Sequence, residues 1–261
     1  MKAAERRQEI LRMATSNGLA SVDELSAQFG VTGSTIRRDL AALAKSGGLA
    51  RTYGGAMAVP VHREPTVTER RSESHEAKRA IGIWAAGQVT PGETVLLDAG
   101  TTTAAVAHAL RAVVPLTVVT TGLTPLSALI GAEGIEVICL GGTFRDVSQS
   151  FIGPLAERAL ESFTFDHVFL GADAVTAEHG ICEATQGQLR IKELMTRRGR
   201  ATYVLAHAAK LGAMPFHAWL RGAWTVVTDE SAAPEQIAPF TAAGIPIVVA
   251  PSGRLRADTR A

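Results

Sequence analysis

Between residues 95 and 250 the chain returns seven times to a short apolar run rich in Val, Ile and Leu: 95–98, 116–120, 135–140, 167–173, 201–206, 223–229 and 245–250. Each run has the length of a strand, and stretches with helical spacing lie between them. Runs that are apolar at successive positions bury both faces, which a sheet open to water on one side does not require. The pattern predicts an α/β domain with a mostly parallel sheet covered by helices on both sides.

The first 60 residues follow a different period. Apolar stripes at Ile10, Met13 and Ala14, at Val22, Leu25 and Phe29, and at Ile36, Leu40 and Leu43 predict three short helices. Ser21 and Glu24 have the spacing of a capping box that opens the second, Gly30 is placed to end it, and Thr32 to cap the third. With only Gly30 and Val31 between the second helix and that cap, the two helices must turn sharply, as in a helix-turn-helix. Glycine pairs bracket Leu49-Ala50-Arg51-Thr52-Tyr53, which reads as a β-hairpin wing. Pro60 and Pro65 fall in a stretch without sustained periodicity. The expected organisation is a small, all-α winged helix-turn-helix domain over 1–58, a linker over 59–75 and the α/β domain over 76–261.

A net charge of +1 conceals an asymmetry: residues 1–60 hold 8 Lys+Arg against 5 Asp+Glu, and the remainder holds 18 against 20. A basic head on a slightly acidic body points to a polyanionic partner for the head. In a helix-turn-helix the first turn of the second helix enters the major groove of double-stranded DNA, where short polar side chains and arginines reach base edges. Here that turn runs from Thr32 to Asp39. Ile36 and Leu40 must face the domain core, which leaves Ser34, Thr35, Arg37 and Arg38 for DNA and Asp39 to orient a neighbouring arginine. Arg51 and Tyr53 in the wing would add a phosphate or minor-groove contact.

Ligands of an open parallel sheet bind beyond the carboxyl ends of its strands. Four loops of this chain are suited to that position: Asp98-Ala99-Gly100-Thr101-Thr102-Thr103, Thr120-Thr121-Gly122, Gly141-Gly142-Thr143 and Gly171-Ala172-Asp173. Glycine lets the backbone approach a ligand, and N–H groups with hydroxyls at a helix start cradle an anion such as phosphate. Lys78, Arg145, Lys192 and Lys210 are the candidate cations, and His207 a candidate acceptor as a neutral imidazole. Proton transfer on a sugar phosphate would instead call on Asp98, Asp173, Glu183 and His207, which makes a sugar-phosphate isomerase or deaminase with an appended head the alternative reading.

Other classes are excluded by simple observations. No stretch offers about 18 uninterrupted apolar residues, and the charged amphipathic start lacks a signal-peptide core, so a cytoplasmic protein without a membrane partner is expected. Cys139 and Cys182 are too few for a disulfide framework, and His167, His179, His207 and His217 lack the short spacing of metal ligands. Neither a metal nor another cofactor is expected. Trp84, Trp219 and Trp224 are expected to fill cores or an oligomer interface.

VTGSTIRRDL (31–40), Gly48-Leu49 and Tyr53-Gly54-Gly55-Ala56 resemble the signature of the DeoR family of bacterial transcriptional regulators. DAGTTT (98–103), LGGTFR (140–145), SFIGPLAE (150–157) and FLGADAV (169–175), with Ile191-Lys192, extend the resemblance over nearly the whole chain. It implies a DNA-binding head and a body similar in fold to ribose-5-phosphate isomerase and glucosamine-6-phosphate deaminase. It also implies a sugar-phosphate effector held by Asp98, Gly100, Thr101, Thr102, Asp173, Lys192 and Lys210. A repressor is expected, as a homodimer or homotetramer whose paired heads read paired half-sites. Tyr53 stands where many members carry His. His207-Ala208-Ala209 replaces a carboxylate and two hydroxyls, and the segment 183–188 lacks acids common in the family before the helix that carries Lys192.

Overall fold

The computed structural model describes residues 3–17, 19–45, 50–52, 55–57 and 64–252, and the chain divides into two units at residues 63 and 64. The first unit holds α1 (Ala3–Asn17), β1 (Leu19–Ser21), α2 (Val22–Phe29), α3 (Gly33–Lys45), β2 (Ala50–Thr52) and β3 (Gly55–Met57). Ser21 and Glu24 form the expected capping box, with the Glu24 N–H donating to Ser21 Oγ at 3.1 Å and the Ser21 N–H to Glu24 Oε2 at 3.0 Å. Gly30 ends α2 in the left-handed region at φ 61°, and the Val31 N–H also turns back to the Ser26 carbonyl. The chain thereby reverses within two residues. Ile10, Leu25 and Ile36 are fully buried together, with Val22 and Leu40 beside them. Asp39 does not orient its neighbours on α3. It is buried and accepts from Arg6 Nε at 2.7 Å, tying α3 to α1.

This head is not all-α. β2 and β3 form the hairpin wing, and β1 pairs antiparallel with β3, so the sheet order is β1-β3-β2. Three residues, Leu19-Ala20-Ser21, are too short to show a period, and their partners lie more than thirty positions along the chain. That pairing is a tertiary event with no local signature.

The second unit begins with α4 (Val67–Ser72) and α5 (His75–Ala86) and continues through β4 (Thr94–Leu97), α6 (Thr101–Leu110), β5 (Leu116–Thr120), α7 (Leu123–Leu129) and β6 (Ile135–Cys139). A hairpin of β7 (Thr143–Arg145) and β8 (Ser150–Ile152) precedes α8 (Pro154–Leu160) and β9 (Phe165–Leu170). Next come β10 (Ala174–Thr176), β11 (Gly180–Glu183), α9 (Gln186–Arg198), β12 (Gly199–Leu205) and a 3₁₀ turn (Ala208–Lys210). β13 (Ala218–Leu220), β14 (Thr225–Asp229), α10 (Pro234–Ala242) and β15 (Ile247–Ala250) complete it. The seven apolar runs are the seven strands of one parallel sheet, in the order β15-β14-β12-β9-β4-β5-β6. Alternate residues face opposite layers, as the pleat requires. Leu96, Val168, Leu170 and Val204 pack towards Leu160 of α8 and Met195 of α9, whereas Val95, Leu97, Phe169 and Leu205 pack towards Ile81 of α5 and Val106 of α6.

Residues 64–75, expected to be linker, belong to this unit. Thr66 and Glu69 make a second capping box that opens α4, and the Val67 N–H donates to the Val147 carbonyl at 3.0 Å. The T-x-x-E spacing is present in the sequence, but a six-residue helix is too short to display periodicity. Antiparallel β10-β11-β13 is a further addition, in which β13 joins the local β10–β11 hairpin by non-local pairing.

α5 and α6 approach closely at Gly82, where an added Cβ would stand 2.7 Å from the Ala105 carbonyl carbon and oxygen. Gly82→Ala should therefore lower stability by about 1–3 kcal/mol through overpacking, although the same change in an exposed helix would add about 1 kcal/mol. Chemical denaturation checks this, and an unchanged or raised midpoint would show that the helices separate freely.

Candidate functional sites

The order of the parallel sheet reverses between β4 and β9: β5 and β6 lie beyond β4, and β12, β14 and β15 beyond β9. Loops leaving those two strands diverge and leave a crevice, the position at which open α/β sheets take ligands. A narrow cleft of about 40 Å³, partly open to solvent, lies there. The bend 98–103 and Gly171-Ala172-Asp173 line it from the ends of β4 and β9, and Thr121 from the end of β5. Ser148, Ser150 and Ile152 come from the β7–β8 hairpin, Glu183 from β11, and Gln188, Ile191 and Lys192 from α9. Lys210 enters from the 3₁₀ turn and Arg70 from α4.

Lys192 organises the floor. Its Nζ stands 2.8 Å from Asp98 Oδ2 and 2.5 Å from Glu183 Oε1, and it donates to the Gly171 carbonyl at 2.6 Å. The Gly171 N–H in turn donates to Asp98 Oδ2 at 3.0 Å, and the Ala99 N–H to Asp98 Oδ1 at 2.7 Å. Burial alone would lower the Lys192 pKa, but Asp98 and Glu183 outweigh it and hold the group above its ordinary value, as a cation. Burial pushes Glu183 up to about 8 against the pull of Lys192, with Asp173 and Asp98 adding to the rise. Gln188 Nε2 donates to the second Glu183 oxygen at 3.1 Å, and Thr185 caps α9 with its hydroxyl on the Gln188 N–H.

Above that floor the lining combines a helix start with cations and a carboxylate. Thr101, Thr102 and Thr103 form the first turn of α6, where backbone N–H groups lack intrahelical acceptors and the helix dipole is positive. The Lys210 ammonium donates to the Ala172 carbonyl, and its pKa is lowered to about 8, by burial first and by Arg70 and Lys192 against the pull of Asp173 and Glu183. Arg70 Nη1 donates to Asp173 Oδ1 at 3.1 Å, while Arg70 Nε and Asp173 Oδ2 are buried without a partner.

Ten residues expected at the effector site do line the cleft: Asp98, Gly100, Thr101, Thr102, Thr103, Thr121, Gly171, Asp173, Lys192 and Lys210. Six do not. Thr120 is buried beneath it, donating to the Leu97 carbonyl at 2.7 Å and accepting from the Gly122 N–H at 3.0 Å. Gly122 is a packing glycine, since a Cβ there would stand 2.6 Å from Ala99 Cα. Gly142 meets the Ile152 carbonyl oxygen in the same way at 2.7 Å, and Gly141 is exposed beside it. Arg145 forks onto Glu64 and donates to Ser148 Oγ at 2.9 Å. His207 is buried outside the cleft lining, and its pKa falls to about 4 through burial and then Lys210 and Lys78, so the ring is neutral.

Lys78 likewise serves the fold, donating to the Arg70 carbonyl and, at 2.5 Å, to that of Glu73. Cys182 is buried in β11 with its thiol pushed up to about 11 by burial, which makes it a poor nucleophile. Arg70, Ser148, Ser150 and Gln188 were not expected at the site, and Glu183 was expected there only under the enzyme reading. Glu183 supplies the acidic partner of Lys192 from the strand before the loop rather than from the loop itself.

In the head, the first turn of α3 presents Ser34, Arg37 and Arg38 to solvent with Thr35 half-buried, while Ile36 and Leu40 are buried. Thr32 Oγ1 lies 2.9 Å from Ser34 Oγ and 3.1 Å from Thr35 Oγ1, which draws the hydroxyls together at the helix start. Arg51 lies on β2 with its side chain outside the described residues, and Tyr53 lies wholly outside them.

The DeoR-like helix-turn-helix domain matches residues 6–60, and the DeoR C terminal sensor domain matches residues 73–230. The chain belongs to the DeoR family. HTH-type transcriptional regulator GlpR of Haloferax volcanii is 36% identical over 83% of this chain and 85% of its own. The glycerol-3-phosphate regulon repressor of Escherichia coli K12 is 29% identical over 81% of this chain and 84% of its own. Among solved structures, ribose 5-phosphate isomerase A from Methanocaldococcus jannaschii matches 51% of this chain and 52% of that chain, at 16% identity and a TM-score of 0.37. In this DeoR-family chain the head is thus the DNA-binding domain and the α/β unit the sensor domain. No helix among the described residues is long and apolar enough to cross a membrane.

Replacing Lys192 by Met would leave Asp98 and Glu183 buried against each other without their cation. Loss of one partner from such a buried group costs about 3–5 kcal/mol. Urea unfolding should show that loss at neutral pH.

Proposed function

We propose that this chain is a cytoplasmic repressor of carbohydrate-metabolism genes whose affinity for operator DNA falls when a phosphorylated sugar or polyol occupies the cleft. The observation that carries the reading is the convergence, at the switch point of a sensor-domain sheet, of a helix start with Lys210, Lys192 and Arg70. Helix N–H groups and cations are the usual donors to phosphate, and Asp173 and the serines would accept or donate to hydroxyls. A relative named as a glycerol-3-phosphate regulon repressor supports a small phosphorylated ligand. Ser34, Thr35, Arg37 and Arg38 would read the major groove, with Arg51 and Tyr53 as wing contacts, and pairing into a homodimer or homotetramer would place two heads on two half-sites. Repression is relieved by linkage: effector favours the arrangement of the oligomer that binds DNA less well.

An isomerase or deaminase has less support. Proton transfer between adjacent carbons needs a base with an oxygen free to face the ligand. Both Glu183 oxygens are engaged by Lys192 and Gln188, and Asp98 is engaged by Lys192 and two N–H groups, which leaves Asp173 Oδ2.

Fluorescence anisotropy on DNA flanking its own gene, with and without glycerol 3-phosphate and glucosamine 6-phosphate, tests the proposal. Sequence-specific binding should weaken on adding one of them, and absence of specific binding at moderate salt would sink it. Arg37→Ala or Arg38→Ala should cost specific binding about 1–3 kcal/mol and leave thermal stability unchanged, because both residues are exposed.

The pH dependence of effector binding has a definite sign. An anion beside Lys210 favours its charged form, so its pKa of about 8 rises on binding. Binding then takes up protons around and above pH 8. Affinity should be insensitive to this group below pH 8 and should fall by up to about tenfold per unit above it. Calorimetry at pH 8 in buffers of different ionisation enthalpy reads the proton count, and proton release would contradict the assignment.

A further inference from the structure

Among the described residues, Arg70 is the one lining the cleft that the chain reaches before the parallel sheet begins. Its side chain is held loosely for so buried a guanidinium. One nitrogen donates to Asp173 at 3.1 Å and another stands 3.9 Å from Glu64 Oε1, beyond hydrogen-bond reach. Arg70 Nε has no partner, and neither does Asp173 Oδ2, though the Asp173 side chain is only 6% exposed. A buried donor and a buried acceptor lie unmatched on neighbouring residues that both line the same cleft. An ion pair that served only to hold α4 would satisfy these atoms, since leaving them unpaired opposes folding.

The second carboxylate near Arg70 lies where the chain enters the body. Glu64 is the first residue of the sensor unit, and the segment before it leads to the head. Arg145 forks onto Glu64 and also donates to Ser148, which stands 2.8 Å from Ser150, and both serines line the cleft. Glu64 is thus connected to the cleft by two routes, the short chain through Arg145 and the loose approach of Arg70. The backbone of α4 is fixed independently, by Val67 on Val147 and by Lys78 on the Arg70 and Glu73 carbonyls. The Arg70 side chain can therefore be redirected without moving its helix.

We propose that Arg70 and Asp173 are a donor–acceptor pair for the polyol part of the effector, and that recruiting Arg70 to the ligand weakens its hold on Glu64 and loosens the point at which the chain from the head joins the sensor domain. Arg70 contacts ligand, and Glu64 is a positioning residue. This rests on the effector reading above and adds the residue that senses occupancy and the place where occupancy is felt.

The test uses the full-length chain with glycerol 3-phosphate and glucosamine 6-phosphate as probes. Hydrogen exchange on the wild-type chain comes first: the probe that binds should speed exchange of the Thr66 amide, which donates to Glu69 beside the joint, and leave the Val67 amide on Val147 protected. Arg70→Lys keeps the charge but loses the fork, and should weaken that probe by about tenfold or more. Glu64→Gln should reduce, by on the order of threefold or more, the ratio of DNA affinities without and with probe, since coupling is a difference between states. A merely structural role would shift the melting temperature of these variants and leave that ratio alone. If neither probe binds the wild-type chain, the effector reading falls and this proposal with it. If a probe binds but exchange at Thr66 is unchanged, or Arg70→Lys binds it as tightly, or Glu64→Gln keeps the wild-type ratio, the effector reading stands and the role of Arg70 is overturned.

Discussion

One buried ammonium holds the sensor domain's ligand-facing end together. Lys192 on α9 satisfies Asp98 after β4, the Gly171 carbonyl after β9 and Glu183 at the end of β11. A cation removed from water is tolerated only where its partners are close and numerous, and these meet that condition. Through Asp98, the same cation fixes the Ala99 and Gly171 N–H groups, and hence the two bends that form opposite walls of the cleft. The shape of the cleft is a consequence of a charge that had to be neutralised.

Charge at this place is itself a consequence of topology. Adjacent parallel strands whose connections run in opposite directions leave a gap at their carboxyl ends, and helix starts then point their N–H groups towards it. α6 does so directly after β4. The lining then mixes signs: Arg70, Lys192 and Lys210 face Asp98, Asp173 and Glu183. A purely basic pocket would take any phosphate. A mixed one discriminates in favour of ligands that bring donors as well as an anion, because a bare anion leaves Asp173 Oδ2 unmet.

Much of this was legible in the chain. The seven apolar runs became the seven strands of the main sheet, because burial on both faces demands continuous hydrophobicity that no loop supplies. Ser21, Glu24 and Gly30 bound α2 as their local chemistry requires, and the stripes through Ile10, Leu25 and Ile36 met in one core. What escaped were short elements and long-range pairs. β1 and α4 have too few residues for a period, and β13 joins the β10–β11 hairpin from 35–39 residues along the chain. Arg70 was hidden for the same reason, in a stretch that reads as linker until α4 docks on Val147.

The sequence by itself determined the classes of structure and the loops rich in Gly, Thr and Asp, because period, capping and turn chemistry act within a few residues. It marked the family through motifs on both domains. Only the tertiary structure decided which loops converge. Strand order set the β4 and β9 loops side by side, turned Gly122 and Gly142 to packing and gave Arg145 to Glu64 rather than to the cleft. The reason is geometric: side chains distant in sequence meet where the sheet's order reverses, and strand order is set by packing across the whole domain rather than by any local pattern.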